Sequence, residues 1–129
     1  MPTKDGLKKE KMHMSSLCFE QGDIVVANLI FSEQIGAKRR PALVISNSKF
    51  NKGSDDLILL KITSKEGKTK YDVLLTPKDL EEGQLKTESQ IMVDNPVTTY
   101  KKLIESKIAK VSDQKLREVK QKIKELYEL

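Results

Sequence analysis

Tryptophan is absent from this chain, and cysteine and histidine occur once each, as Cys18 and His13. A single cysteine excludes an internal disulfide, and with it the small stapled folds of secreted proteins. One histidine and one cysteine cannot supply the usual zinc ligand set, and a lone histidine gives no pair for acid–base work. Aromatics are also scarce, with three Tyr and three Phe in 129 residues, so the core must be built mainly from Ile, Leu and Val. No apolar run reaches the roughly 18 residues that a membrane-spanning helix requires. The opening "MPTKDGLKKEKMHMSS" lacks the apolar stretch of a signal peptide. These absences point to a cytoplasmic protein.

Charge is what the chain has in quantity. One third of the residues are charged and the net charge is +5. A moderately basic small domain suits a polyanionic partner, nucleic acid foremost, although charge alone is equally compatible with an ordinary soluble surface. The length suits one self-supporting core. Residues 1–19 are Lys-rich and aperiodic and read as a mobile basic tail; residues 20–129 read as the folded domain.

Period-two and β-branched runs predict short strands. "DIVVANLI" gives the first, over 23–30, behind Gly22. The polar "SEQIGAK" follows as a loop. "PALVISN" is the second strand, with Pro41 at its first residue, where a missing donor is tolerated. "NKGSD" is turn chemistry. "DLILLKIT" is apolar on both faces and therefore an interior strand. "SKEGKTK" reads as a hairpin turn around Gly67 into "YDVLL". "TPKDLEEGQLKTE" is an irregular excursion with one helical turn at 77–80. "SQIMV" is a strand, "DNPVTTYKK" a turn and linker, and 104–111 the last strand. The period then changes: Leu116, Val119, Ile123 and Leu126 recur at steps of three and four, which marks an amphipathic helix. Ser112 suits its N-cap, and Asp113 the positive end of its dipole. About six short strands and a C-terminal helix describe a mainly β small barrel.

"AKRRPALVIS" places Lys38, Arg39 and Arg40 at the mouth of an apolar strand. Proline restricts the preceding residue to extended angles, so Arg40 is held at a fixed place beside a flexible loop. A guanidinium so held is suited to phosphate, because it is always charged and presents forked donors. Thr63 and Ser64 end the "LLKITS" strand with hydroxyls that can bond phosphate oxygens or orient a ribose 2′-OH. The plain alternatives are a solvated strand entry for Arg40 and turn-forming hydroxyls for the Thr-Ser pair.

Taken in order, "GDIVVANL", "EQIGAKRRPALVIS", "LLKITS" and "SQIMVDNPVTT" resemble the PemK/MazF family of toxin endoribonucleases, from Gly22 to the C-terminus. The resemblance implies an SH3-like barrel, a homodimer, and cofactor- and metal-independent cleavage of single-stranded RNA (mRNA). It also implies control by a cognate antitoxin that occupies the RNA groove. It assigns catalytic roles to Arg40 and Thr63. Glu33, Ser64 and Asp94 become possible catalytic or RNA-contact residues, and Gln34, Lys38 and Arg39 RNA-binding ones. For Asp94 the alternative is a turn cap before Asn95-Pro96. Two positions depart from some members of the family. Met92 stands where they carry an arginine, and Ser32 where they carry a histidine. The Arg–Asp–His form of the mechanism is therefore unavailable and the Arg–Thr form remains. A catalytically silent nucleic-acid-binding barrel of the same fold is the competing reading. A gyrase poison of that fold would need a C-terminal Trp-Gly-Ile, and this chain ends "LYEL".

Overall fold

The computed structural model describes residues 18–29, 38–65 and 69–129. Most of the basic tail expected over 1–19, the loop carrying Ser32, Glu33 and Gln34, and the turn around Gly67 lie outside the described residues.

The described residues form seven strands: β1 (Asp23–Leu29), β2 (Lys38–Val44), β3 (Asp56–Thr63), β4 (Val73–Leu75), β5 (Leu80–Gly83), β6 (Ser89–Tyr100) and β7 (Ile104–Val111). Helix α1 (Ser48–Gly53) follows β2, and α2 (Asp113–Tyr127) closes the chain. All strand pairs are antiparallel, in the order β4-β6-β3-β2-β1-β7-β5. Register shifts interrupt the β1–β7, β3–β6 and β5–β7 ladders. Such shifts bend strands and raise local twist, and the sheet curls into the expected mainly β, barrel-like form.

Alternation along the strands gives the sheet two apolar faces. Val25, Ala27, Ala42, Val44, Leu57 and Leu59 bury themselves on one, together with Phe19 and Met92. Ile24, Leu43, Leu60, Ile62, Ile91 and Val93 bury themselves on the other. β3 feeds both faces, as its two-sided apolar sequence requires. α2 covers the second face with the stripe anticipated from its period: Val119 is fully buried, and Leu116, Ile123 and Leu126 pack around it. Ser112 caps the helix, its Oγ accepting the Lys115 N–H at 3.1 Å. Lys115 Nζ then donates to the Leu74 carbonyl at 2.9 Å, tying the helix start to the edge strand β4.

Five local expectations are corrected. The "DNPVTTY" segment is not a linker, because β6 continues through it and pairs from Pro96 to Tyr100 with β3. Its polar residues alternate outward while Val97 packs inward, and the long-range partner decides the matter. β4 makes no hairpin with β3; both pair with β6, which runs between them. The excursion contains a seventh strand, β5, whose "LEEG" has no strand propensity and which exists through its pairing with β7. The "NKGSD" turn overlaps a helix: α1 spans Ser48–Gly53 with Asn47 as its cap. β2 also begins earlier than Pro41, at Lys38. Its ladder with β3 stops at Ala42, one residue short of the proline that cannot donate.

Candidate functional site

β2 and β3 pair as Ala42↔Lys61, Leu43↔Leu60 and Val44↔Leu59. Carrying this antiparallel register two residues past Ala42 and Lys61 sets Arg40 opposite Thr63. Both then project to the same face as Ala42 and Lys61. The two residues singled out in sequence, 23 positions apart in the numbering, lie just beyond the paired stretch of these two adjacent strands. Arg40 is also held from its other side, in register with Ala27 of β1. It is half-buried and its Nε is fully buried, so the base of the guanidinium is fixed by the sheet.

Thr63 Oγ1 accepts the Lys65 backbone N–H at 3.1 Å. The turn-forming role of the hydroxyl is thus real. It occupies one lone pair and leaves the O–H proton available for a phosphate oxygen or a ribose hydroxyl. Ser64 is exposed at the start of the turn.

Arg40 and Thr63 line one cavity of about 680 Å³, together with Pro41, Ser64 and Lys65. The β5–β6 connection also lines it through Gln84, Leu85, Lys86 and Thr87, with Ser89 at the start of β6. Val26, Ile62 and Ile108 form the apolar remainder. Alternation assigns Pro41 and Ile62 to the helix-covered face and Arg40 and Thr63 to the other, so the cavity spans the strand ends and takes lining from both. Sequence reading missed the β5–β6 wall. Nothing local marks it, because it reaches the site only through the β5–β7 pairing.

The remaining sequence candidates are placed as follows. Lys38 and Arg39 are exposed on β2. Arg39 Nε meets Glu105 Oε1 at 2.6 Å, an exposed pair of small energy that a phosphate can displace. Alternation leaves Lys38 on the Arg40 face and Arg39 on the opposite one. Asp94 is exposed and does not line the cavity. It sits in the β6 stretch between the two β3-paired segments, its Oδ1 accepting from Asn95 Nδ2 at 3.1 Å; this is mid-strand, not a turn cap. Met92 is 8% exposed within the first core cluster. An arginine there would need a buried partner, and this chain fills the position with an apolar side chain instead. Among the described residues no group of three His, Cys, Asp or Glu side chains is placed to hold a metal ion, and no helix is long and apolar enough to cross a membrane.

Residues 20–127 match the family described as PemK-like, MazF-like toxin of type II toxin-antitoxin system. The chain belongs to that family. Among solved structures it is similar to an endoribonuclease from a mycobacterial species, with TM-score 0.69 and 17% identity over 88% of this chain and 94% of that one. It is likewise similar to MazF from Deinococcus radiodurans, with TM-score 0.67 and 22% identity over 88% of this chain and all of the other. A MazE–MazF complex from the same organism gives TM-score 0.67 and 23% identity, over 88% of this chain and 99% of that one. No curated protein sequence matches the chain. At these identities the neighbours establish the fold, and the family match establishes membership of a toxin–antitoxin family.

Proposed function

We propose that this toxin is a metal-independent endoribonuclease that cuts single-stranded RNA by attack of the ribose 2′-OH, with Arg40 and Thr63 as the reacting pair. The observation that supports the proposal is that Arg40 and Thr63, on adjacent antiparallel strands, line one cavity. In the reaction the 2′-oxygen forms a bond to phosphorus and the bond to the 5′-oxygen breaks. A 2′,3′-cyclic phosphate and a 5′-hydroxyl result. Arg40 faces the phosphoryl oxygens, where negative charge builds in the transition state. Thr63 donates its free proton to one of those oxygens or holds the 2′-OH in line. Neither is a base. Glu33, from the β1–β2 connection, is the carboxylate we assign to accept the 2′-OH proton, and water protonates the leaving oxygen. Lys38, Arg39 and Gln34 contact the RNA backbone, a salt-sensitive contribution. The active form is a homodimer, and a cognate antitoxin blocks the groove. The solved MazE–MazF complex is the kind of assembly this implies.

The test is incubation of a long single-stranded RNA in excess EDTA with wild type, Arg40→Ala and Thr63→Ala. Wild type should give discrete cuts ending in cyclic phosphate. Arg40→Ala should lose about 10²–10³-fold in rate, the cost of one oxyanion donor. Thr63→Ala should lose about 10–100-fold, as for a hydrogen bond to a charged group. Uncut RNA in every lane, with wild type still retarding it in a gel, would move the assignment to a silent RNA-binding barrel.

A further inference from the structure

Glu105 interrupts the regular pairing of the sheet. β1 pairs with β7 as Val26↔Ser106 and then as Ala27↔Ile104, so β7 takes two steps where β1 takes one, and Glu105 is the residue passed over. A residue bulged out of a ladder in this way has its side chain re-aimed. Here the carboxylate reaches past β1 to the strand beyond it, and Glu105 Oε1 accepts from Arg39 Nε of β2 at 2.6 Å. Arg39 is in register with Asn28 of β1. The next pair along that face, Pro41↔Val26, lines the cavity. Two residues of strand, about 7 Å, separate the two pairs. The Arg39–Glu105 contact therefore borders the cavity where the cation cluster of β2 begins.

The fold gains little from this contact. Another ion pair of β7, Lys107 with Asp23 at 3.3 Å, holds a carboxylate side chain that is only 2% exposed. The Arg39 and Glu105 side chains are 67% and 36% exposed. A pair in that much water adds little to stability, so its carboxylate leaves at small cost. A phosphate takes the same forked donors of a guanidinium that a carboxylate does.

Resting on the RNA reading above, we propose that Glu105 is a built-in competitor for the RNA backbone. It holds Arg39 in the free toxin and yields it to a phosphate when a strand binds. At Arg39 one anionic partner is exchanged for another, so this cation alone adds little net affinity. A strand that touches only the mouth of β2 is then held weakly, and one that also engages Arg40 and Thr63 is held by groups that Glu105 does not occupy. The β7 bulge thus sets how much of the binding comes from the cavity and how much from the exposed cation beside it.

The experiment uses a fluorescent single-stranded oligonucleotide with 2′-O-methyl riboses, which binds but cannot be cut. Binding to the full chain is read by anisotropy for wild type, Glu105→Gln, Arg39→Ala and the double variant. At low salt Glu105→Gln should bind about twofold to fivefold tighter than wild type, the range in which exposed ion pairs fall. The gain should fade as added salt screens the pair. Arg39→Ala should bind more weakly than wild type. In that background Glu105→Gln should have a gain at least about twofold smaller, because the competitor has nothing left to compete for. Equal gains in the two backgrounds would show that Glu105 acts only by repelling the strand through its charge; this would overturn the competition and leave RNA binding standing. Unchanged or weaker binding by Glu105→Gln would overturn it as well, and would make the carboxylate an aid that orients Arg39. Failure of wild type to bind the probe at low salt would overturn the RNA reading and this inference with it.

Discussion

Replacing Gly83 with alanine tests how the cavity wall is held. The added methyl would lie 2.2 Å from the Ile108 carbonyl oxygen, 2.6 Å from Ala109 Cα and 2.9 Å from Ala109 Cβ. These obstacles include backbone atoms of the paired strand, so no rotamer change relieves them. Gly83 and Ala109 are register partners, so the seam itself must open. The left-handed φ of +83° adds a cost of about 1–2 kcal/mol for a residue with a Cβ. Forcing a methyl into a close-packed contact adds about 1–3 kcal/mol. The sum, about 3 kcal/mol, is a large part of the ordinary stability of a domain, about 5–15 kcal/mol. For a chain of this size it corresponds to a fall in Tm of about 12 °C. The matched control is Gly53→Ala. Nothing lies within 4 Å of a Cβ at that position, and the residue ends α1, so alanine should be neutral or stabilise by up to about 1 kcal/mol. Thermal melts of the three proteins by circular dichroism decide the question. A Gly83→Ala protein melting within about 3 °C of wild type would refute the claim that β5 depends on this contact.

Two further perturbations reach other parts of the fold. Asn51 is buried; its Nδ2 donates to the Phe19 and Ser46 carbonyls at 3.0 and 3.1 Å, and its Oδ1 accepts from Ser46 Oγ at 2.5 Å. Asn51→Ala leaves those carbonyls unsatisfied and should cost about 2–4 kcal/mol in urea unfolding; a loss under about 1 kcal/mol would contradict the network's role. The exposed Glu20 carboxylate is held below its ordinary pKa, chiefly by its hydrogen bond from Lys110, and Lys110 is raised above its own by the same bond. A lowered carboxylate stabilises above its unfolded pKa and loses this as pH falls through the folded value; the raised lysine stabilises below its unfolded pKa and loses this as pH rises through the folded value. The Tm difference between wild type and Glu20→Gln should therefore be flat near neutrality and close both below the ordinary glutamate range and above the lysine range. A difference independent of pH would show that the pair contributes nothing.

Local sequence determined much of this protein. Alternation in "DIVVANL" and "DLILLKIT", the three-four spacing of Leu116, Val119, Ile123 and Leu126, and the serine at the helix start each fixed an element, because side-chain period dictates which face is buried. The family motifs marked Arg40 and Thr63. What local pattern could not reach was partner choice. "DNPVTTY" reads as a linker until β3 is set beside it, "LEEG" has no reason to be a strand without β7, and β4 pairs with β6 and not with its predecessor in the chain. Strand pairing is an interaction between distant segments, and its energy appears only when the sheet assembles. The same assembly brought Gln84 and Leu85 into the lining of the cavity that Arg40 and Thr63 share. The sequence supplied the candidate side chains, and the tertiary structure decided what stands around them.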